Sequence, residues 1–250
     1  FIKGFEIMFI QIKKLSKIYD RYLAVNKINF QIQKYQTVGL LGPNGCGKTT
    51  TIGMMLGLVS PSDGEILFEN KSLEKFKRDE ILERFNFASP YVELPKKLTV
   101  KQNLEIYGRL YGVKNLNSRI NEISVDLDIK NFFNRKTGEL SSGQKNRVSL
   151  AKSLINKPEV LLLDEPTASL DPDIGDFIRS YIQDYKAKNK VTILLASHNM
   201  SEVKRLCDSI IMMKRGKIID SGTCEELIKK HGRKNLEETF LKLARSKNEF

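Results

Sequence analysis

The sequence predicts an α/β fold with a mainly parallel central sheet, an antiparallel β-region at the N-terminus and an inserted helical subdomain. Short continuous apolar runs, typical of strands buried on both faces of a parallel sheet, occur at Thr37–Leu41, Val160–Leu163 and Thr192–Ala196. Alternating apolar and polar residues at Phe9–Leu15 and Lys27–Gln33 predict the antiparallel region.

The helical subdomain is predicted from a change of pattern near residue 90. Val100–Tyr111 carries apolar residues at helical spacing behind Thr99, a predicted N-cap, and Leu116–Val125 and Lys145–Ile155 are further predicted helices. We therefore expect a single domain over residues 1–250, divided into a β-region and core at about 8–89 and 156–222, a helical subdomain at about 90–155, and a helical tail at 223–250.

The composition is typical of a folded protein with a basic surface. The 250 residues are 40% hydrophobic and 29% charged, and the formal net charge is +12. This charge aids solubility or attracts an anionic partner, which could be a nucleic acid, the cytoplasmic leaflet of a membrane, or a nucleotide. No apolar run reaches the roughly twenty residues of a membrane-spanning helix. Met8 is a candidate natural start, and the seven residues before it are then an upstream extension.

Cysteine and histidine residues are sparse. Cys46, Cys207 and Cys224 are widely spaced and follow neither a metal-binding pattern nor a disulfide framework, so we expect a reducing compartment. The two histidines are too few for a histidine-based metal site.

A phosphate-binding loop is predicted between the run Thr37–Leu41 and a following helix. The segment fits the spacing G-x-x-x-x-G-K-[ST], and its residues are Gly42, Pro43, Asn44, Gly45, Cys46, Gly47, Lys48, Thr49 and Thr50. Backbone N–H groups of such a loop surround phosphate oxygens, aided by the positive end of the helix. Lys48 can reach the β- and γ-phosphates, and the Thr49 hydroxyl can bind Mg²⁺. A glycine-rich turn that binds nothing is the alternative, but it does not explain why motif and context agree.

Three further candidate residues follow predicted central strands. Asp164 ends the run Val160–Leu163 and can hold the Mg²⁺ shell, while Glu165 can polarise an attacking water as a general base. His198 follows Thr192–Ala196 and can hydrogen-bond a γ-phosphate or that water. The alternatives are a strand that ends in two surface acids and a structural histidine.

Together these motifs resemble the ATP-binding subunit of ABC transporters, over roughly residues 9–244. The discriminating segment lies between the phosphate loop and Asp164 and is similar to the family signature LSGGQ; its residues are Leu140, Ser141, Ser142, Gly143 and Gln144. Ser169, Leu170 and Asp171 match the family's D-loop, and His198 matches its switch histidine.

The resemblance implies a mechanism and a set of partners. Two ATP-binding subunits, either a homodimer or a related heterodimer, would pack head to tail and sandwich two ATP molecules with Mg²⁺. They would drive transmembrane permease subunits from the cytoplasmic face of the membrane, as peripheral proteins. The resemblance also assigns Tyr19 to the adenine ring and Val25 to the ribose, although the residues alone leave a purine-stacking and a turn-packing aromatic equally open.

The chain departs from the family pattern at two site positions and in its N-terminal extension. Ser142 stands where glycine is usual, and we expect a working signature if this position does not need a positive φ. Ser89 and Pro90 stand where the family has a glutamine that touches the metal and relays to the membrane partner. We expect water or Ser89 to take the metal position, because Gln102 lies too far along the chain.

The transport direction is predicted from the tail. Asn235–Leu241 resembles the NLEE-x-F-L ending of ABC-2 exporter subunits, so we expect export. One alternative is a soluble ABC-type ATPase that acts on nucleic acid or ribosomes. Nucleic acid is not expected as a partner, because the chain has neither a second cassette nor a coiled-coil insertion. Another alternative is a non-catalytic scaffold, but Lys48, Asp164, Glu165 and His198 together indicate an active ATPase.

Overall fold

The structure, a computed structural model, describes residues 8–245 in two compact units. Of the described residues, the first unit combines 8–76 with 192–245, and the second is Lys77–Val191. The extension that the sequence predicts before Met8 lies outside the described residues. The domain division predicted from the sequence stays a prediction.

In chain order, the described residues form strands and α-helices with these bounds: β1 Met8–Tyr19, β2 Tyr22–Gln33, β3 Thr37–Leu41, α1 Lys48–Met55, β4 Asp63–Phe68, β5 Lys71–Ser72, α2 Arg78–Arg84, β6 Phe85–Ala88, α3 Val100–Leu110, α4 Leu116–Asp126, α5 Ser142–Leu154, β7 Val160–Asp164, α6 Pro172–Asn189, β8 Thr192–Ser197, α7 Met200–Leu206, β9 Ser209–Lys214, β10 Lys217–Gly222, α8 Cys224–His231 and α9 Leu236–Arg245.

An antiparallel sheet in the order β2-β1-β4-β5 occupies the N-terminal part of the first unit. The predicted hairpin is present, but both strands are longer than predicted. Pairing between β1 and β2 continues to Tyr19 opposite Tyr22, so the segment predicted as a connection is mostly strand. The two tyrosines therefore flank the hairpin turn.

The parallel part of the first unit is built on β3. It pairs in parallel with β8 and β9, and β10 adds an antiparallel strand to β9. All five residues of β3 and all six of β8 are buried, as their continuous apolar runs predict. Leu41 lies opposite Ser197, so the residues that follow these strands, Gly42 and His198, emerge side by side at the same sheet edge.

The second unit contains the parallel pair β6 and β7 together with helices α3 to α6. Thr99 caps α3 as predicted: its hydroxyl accepts from Gln102 N at 3.1 Å, while the Gln102 side chain accepts from Thr99 N at 2.9 Å. Helix α5 begins at Ser142 and not at Lys145 as predicted, because Ser141 caps it in the same way. The family signature is thus the first turn of a helix rather than a preceding loop.

The sequence pattern also predicts a helix from the phosphate loop to about Leu58 and another at Ile129–Phe133, and both are shorter in the structure. The helix after the phosphate loop ends at Met55, where Gly57, with a φ of 64°, turns the chain. The segment Ile129–Phe133 forms only a single 3₁₀ turn, Lys130–Phe132. Hydrophobic spacing does not report such helix ends, because they depend on capping and backbone conformation.

The predicted helical tail consists of α8 and α9. Helix α9 buries Leu236 and Phe240 in an apolar cluster that also contains Leu41, Val203 and Met212. The tail is therefore packed on the strand that leads into the phosphate loop. None of the helices within residues 8–245 combines the length and apolar character needed to cross a bilayer.

Substitution of Gly64 tests the packing of the N-terminal sheet. Its φ is +83°, and an added Cβ would collide with the backbone carbonyl oxygens of Lys13 and Lys14. Gly112 also has a positive φ, +65°, but an added Cβ there meets no atom within 4 Å. We expect Gly64→Ala to lower the free energy of unfolding by about 2 kcal/mol more than Gly112→Ala, measured by urea denaturation. Equal losses would contradict this packing.

Candidate nucleotide-binding site

The phosphate loop connects β3 to α1, and two of its glycines have a left-handed backbone. Gly45 has a φ of 77° and Gly47 a φ of 107°. Gly47 is the N-cap of α1, and a Cβ there would lie 2.7 Å from the carbonyl oxygen of Ala24. A side chain is excluded at Gly47 both by its backbone conformation and by the close approach of β2.

Lys48 begins α1 and folds back over the loop. Its side chain is only 5% exposed, and Nζ donates to the carbonyl oxygens of Gly42, at 2.7 Å, and Pro43, at 3.3 Å. The ammonium group is therefore held at the concave side of the loop. It can exchange these carbonyl acceptors for phosphate oxygens, which bind a cation more strongly.

Two contacts on the phosphate loop were not predicted from the sequence. The Tyr22 hydroxyl donates to the Gly45 carbonyl oxygen at 3.2 Å. Gly216, in the β9–β10 turn, donates its N–H to the Cys46 carbonyl oxygen at 3.1 Å and accepts from Asn26 N at 2.8 Å. These bonds connect the loop to segments far away in sequence, and the only sequence signal for them is the glycine in a tight hairpin turn.

The predicted base-binding residues lie in the same unit as the loop. Val25 is fully buried, and its Cγ2 would lie 3.2 Å from a Cβ on Gly47. Tyr19 is 43% exposed at the end of β1, and Lys17 Nζ lies 5.0 Å from the centre of its ring. Their assignment to ribose and adenine stays a prediction.

His198 is held between β8 and α7. Asn199 caps α7 by accepting from Ser201 N at 3.0 Å, and its own N–H donates to Ser197 Oγ at 3.0 Å. Ser197 Oγ donates in turn to the buried Glu202 carboxylate at 2.7 Å. The residues on both sides of His198 are fixed, so the histidine stays beside Gly42 at the sheet edge.

The paired acids lie in the second unit and are buried. Asp164 is 3% exposed and Glu165 6%, so they are not surface acids at the end of a strand. Glu165 has a left-handed backbone, with a φ of 54°, and its carbonyl oxygen accepts from Ala168 N at 3.0 Å. Buried carboxylates and left-handed non-glycine residues both cost free energy, and they concentrate at functional sites.

Ser89 occupies the strand end next to Asp164. Ala88 of β6 lies opposite Leu163 of β7, so the residues that follow, Ser89 and Asp164, are neighbours at the carboxyl edge. Ser89 is buried, and its Oγ accepts from Tyr91 N at 3.3 Å, which closes a tight turn. Ser89 therefore follows β6 directly beside Asp164 in the register of the sheet, with its hydroxyl oxygen accepting from the Tyr91 N–H.

The signature opens α5 with a complete capping box. Ser141 Oγ accepts from Gln144 N at 3.3 Å, and the Gln144 side chain accepts from Ser141 N at 3.1 Å. Ser142 is the first helical residue and has no positive φ, so a serine fits there. A Cβ on Gly143 would lie 2.6 Å from Ile174 Cδ1, the far end of a side chain of α6 that would have to move aside.

The D-loop lies between β7 and α6 in the same unit. Ser169 has a φ of 58°, and Asp171 is the N-cap of α6. The structure brings the D-loop, the signature and the Ser89 turn together around a cavity of about 320 Å³. Residues of all three segments line it, among them Ser89, Leu94, Ser142, Asn146, Ser169 and Leu170.

Comparison with known proteins shows the family to which the chain belongs. The family model for ABC transporters matches residues 25–168. The ABC transporter ATP-binding protein NatA of Bacillus subtilis is 36% identical over 221 residues, which cover 87% of this chain and 89% of NatA. The chain belongs to the ABC transporter family of ATP-binding proteins. As an ABC ATP-binding subunit it is an ATPase, so the predicted activity is confirmed.

Other relatives of this ABC protein serve transport in both directions. The Nod factor export ATP-binding protein I of Burkholderia lata is 35% identical, over 88% of this chain and 72% of that protein. A probable sulfate/thiosulfate import ATP-binding protein of Chlorella vulgaris is 34% identical, over 88% and 93%. These relatives support a transport subunit over the alternative that acts on nucleic acid or ribosomes.

Solved structures confirm the predicted α/β fold. An ATP-binding subunit of an ABC transporter superposes with a TM-score of 0.86 at 24% identity, over 95% of this chain and all of that one. A dimeric bacterial ABC transporter cassette superposes with a TM-score of 0.78 at 26% identity, over 86% of this chain and 98% of that one.

The signature of this ABC protein can be tested at two adjacent positions. Ser142→Gly restores the usual family residue and should leave ATP turnover within about twofold, because position 142 is already helical. Gly143→Ala should lower turnover by about threefold, because the Ile174 side chain has to rotate to make room for the added Cβ. Steady-state phosphate release measures both. A Gly143→Ala protein with normal turnover would show that this close approach is not needed.

Proposed function

We propose that this ABC ATPase energises export of a substrate through transmembrane permease subunits, from a peripheral position on the cytoplasmic face of the membrane. It would act with a second ATP-binding subunit, either a copy of itself or a related chain. The observation that carries the proposal is the capped signature at the start of α5, a helix of 13 residues. A helix N-terminus of this kind is an anion-binding site.

The signature and the phosphate loop supply two separate phosphate-binding helix starts. The loop precedes α1 in the first unit, and the signature opens α5 in the second. We propose that each ATP contacts the phosphate loop of one subunit and residues 140–144 of the other. ATP then holds the two subunits together, and loss of the γ-phosphate on hydrolysis lets them separate.

Mg²⁺ is assigned to Thr49 and Asp164. Hydroxyl and carboxylate oxygens are the donors that Mg²⁺ prefers, and this ion commonly takes its other ligands from water and phosphate. Thr49 offers a hydroxyl oxygen and Asp164 a carboxylate oxygen, which are donors of this kind. Ser89, beside Asp164, adds a hydroxyl oxygen where the family has its glutamine. The bound ion would neutralise charge on the β- and γ-phosphates.

Glu165 and His198 are assigned to the chemical step, together with Lys48. The Glu165 carboxylate would accept a proton from the attacking water, and the left-handed backbone of this residue is the kind of strain that concentrates at functional sites. His198, held by the Asn199 cap, would donate a hydrogen bond to the γ-phosphate. Lys48 would stabilise the negative charge that develops on the transferred phosphoryl group.

The direction of transport is argued from the tail. In the segment that resembles an exporter ending, Asn235 Oδ1 accepts from Glu238 N at 2.8 Å and starts α9. Leu236 and Phe240 are buried, and Thr239 is fully buried with its hydroxyl bonded to the Asn235 carbonyl oxygen. The motif is therefore a packed part of the fold. One relative is named as an exporter and another as an importer, so the proposed direction rests on this tail motif.

The permease contact is assigned to the cavity beside Ser89. Tyr91 and Val92 follow the turn and are 69% and 51% exposed, an unusual state for adjacent large apolar residues. In the family this segment relays to the membrane partner. Exposed apolar side chains directly after Ser89 and Pro90 favour a partner surface that is itself apolar.

Glu165→Gln tests the sandwich. The amide keeps the shape of the side chain but cannot accept the proton, so turnover should fall by roughly 100-fold or more while ATP still binds. The protein should then form an ATP-dependent dimer, measured by size-exclusion chromatography with light scattering. Glu74→Gln, at an exposed position in the first unit, is the matched control and should behave as wild type.

Two outcomes would count against the proposal. A Glu165→Gln protein that stays monomeric at saturating ATP and Mg²⁺ would contradict the ATP sandwich. Normal turnover in this variant would contradict the assignment of Glu165 as the base.

A further inference from the structure

We propose that Lys152 is a positioning residue that fastens the signature helix α5 to strand β6, so that the signature and the Ser89 turn move as one body during ATP turnover. The proposal rests on the ATPase activity and the signature. It holds for either direction of transport.

Lys152 is buried in the last turn of α5 and reaches β6. It is 8% exposed, and its Nζ donates to the Phe87 carbonyl oxygen at 2.7 Å and to Asn86 Oδ1 at 3.4 Å. The Tyr107 ring lies on another side of the ammonium group, with its centre 5.6 Å from Nζ. Phe87 is two residues before Ser89, so the bond holds the strand at the point where it enters the turn.

Asn86 strengthens the same connection. Its Nδ2 donates to Asn156 Oδ1 at 2.9 Å, and its Oδ1 accepts from Phe87 N at 2.8 Å. Asn156 Nδ2 then donates to the carbonyl oxygens of Leu82 and Glu83, at 3.0 and 3.1 Å. The C-terminal end of α5 is thus bonded to β6 and also to the end of α2.

A buried ammonium group is a poor way to stabilise a fold. Within residues 8–245, the hydrogen bonds of Lys152 go to a carbonyl and an amide oxygen and not to a carboxylate. Desolvation of such a cation is costly, and apolar residues of similar volume often stabilise a fold as well or better. The contribution of Lys152 is therefore the fixed direction of its bonds, which an apolar side chain lacks.

Helix α5 transmits this connection to the signature. Ser141 and Lys152 are separated by eleven residues, a length of about 16 Å at the helical rise. Val148, Leu150 and Ala151 are buried between the two ends, so the helix is supported along its length. A displacement of the Ser89 turn is carried through β6 and Lys152 to the helix that presents the signature.

The residues at positions 89 and 90 explain why a route through β6 and Lys152 is needed. Where Ser89 and Pro90 replace the usual glutamine, no long side chain can pass a displacement onward from this position. Proline also restricts the turn, which makes it a stiffer element. A displacement of the turn then has to pass through the backbone of β6, and Lys152 is the side chain that is hydrogen-bonded to this backbone.

The charge on Lys152 makes the connection sensitive to pH. Burial lowers the pKa of this lysine from 10.5 to about 8. The titratable group that faces it is Tyr107 of α3, whose ring centre lies 5.6 Å from Nζ.

Stability and turnover should change in opposite directions above pH 8. The unfolded chain keeps the lysine proton up to about pH 10.5, so the contribution of Lys152 to stability rises with pH between about 8 and 10.5. In the folded protein the side chain loses its charge as the pH rises through about 8, so its hydrogen bonds to β6 lose their charge assistance and weaken. A group that only stabilised the fold would not make stability rise while ATP turnover falls.

The experiment compares Lys152→Met and Lys152→Arg with wild type, and Lys157→Met is the control at an exposed position just beyond α5. Lys152→Met should keep its melting temperature and its affinity for ATP, yet lose about fivefold or more in turnover. Amide exchange over residues 86–92, read by mass spectrometry, should speed up by about tenfold. Lys152→Arg, which stays charged at all working pH values, should retain turnover and should not lose it at pH 9 as wild type does.

Three results would overturn the proposal. One is Lys152→Met with turnover and amide exchange equal to those of Lys157→Met. Another is a loss of turnover that is matched by a fall in melting temperature and is not rescued by arginine. If Lys152→Met fails to fold, the pH profiles of wild type and Lys152→Arg decide alone, and identical profiles between pH 7 and 9 would end the proposal.

Discussion

The proposed nucleotide site depends on one constraint: a highly charged triphosphate has to be met by backbone N–H groups that point at it. The first turn of a helix supplies such groups, and the chain provides two of these starts, at α1 and at α5. At α1 the left-handed Gly47 turns the loop so that the chain can enter the helix. At α5 the capping box of Ser141 and Gln144 holds the first turn in shape. The buried strands place both helix starts, since each helix is anchored by a core that water does not reach.

The support around these helix starts comes from elements distant in sequence. The N-terminal hairpin brings Tyr22 to Gly45, and the β9–β10 turn brings Gly216 to Cys46. The tail helix α9 packs on the cluster that contains Leu41, the last residue before the loop. In the second unit Lys152 and Asn86 do the same for the signature helix. Residues outside the motifs therefore decide how rigidly the motifs are held.

The sequence predicted the elements whose pattern is local, and it missed those that depend on contacts. Continuous apolar runs found β3, β7 and β8, and the phosphate loop was recognisable from its spacing. The start of α5 was placed three residues late because a capping box with serine and glutamine looks polar and loop-like. Tyr22, Gly216 and Lys152 could not be predicted, because a tyrosine, a turn glycine and a helical lysine have ordinary local patterns. Only the fold shows what they touch.

Mixing two defective proteins tests most directly whether the nucleotide site is completed by another chain. In a Glu165→Gln background, one protein carries Lys48→Ala and the other Ser141→Arg, so each keeps the half-site that the other lacks. We predict that neither forms a dimer with ATP and Mg²⁺ alone, and that the mixture does, because one complete site arises between them. A mixture that remains monomeric, or either protein dimerising fully by itself, would contradict the account.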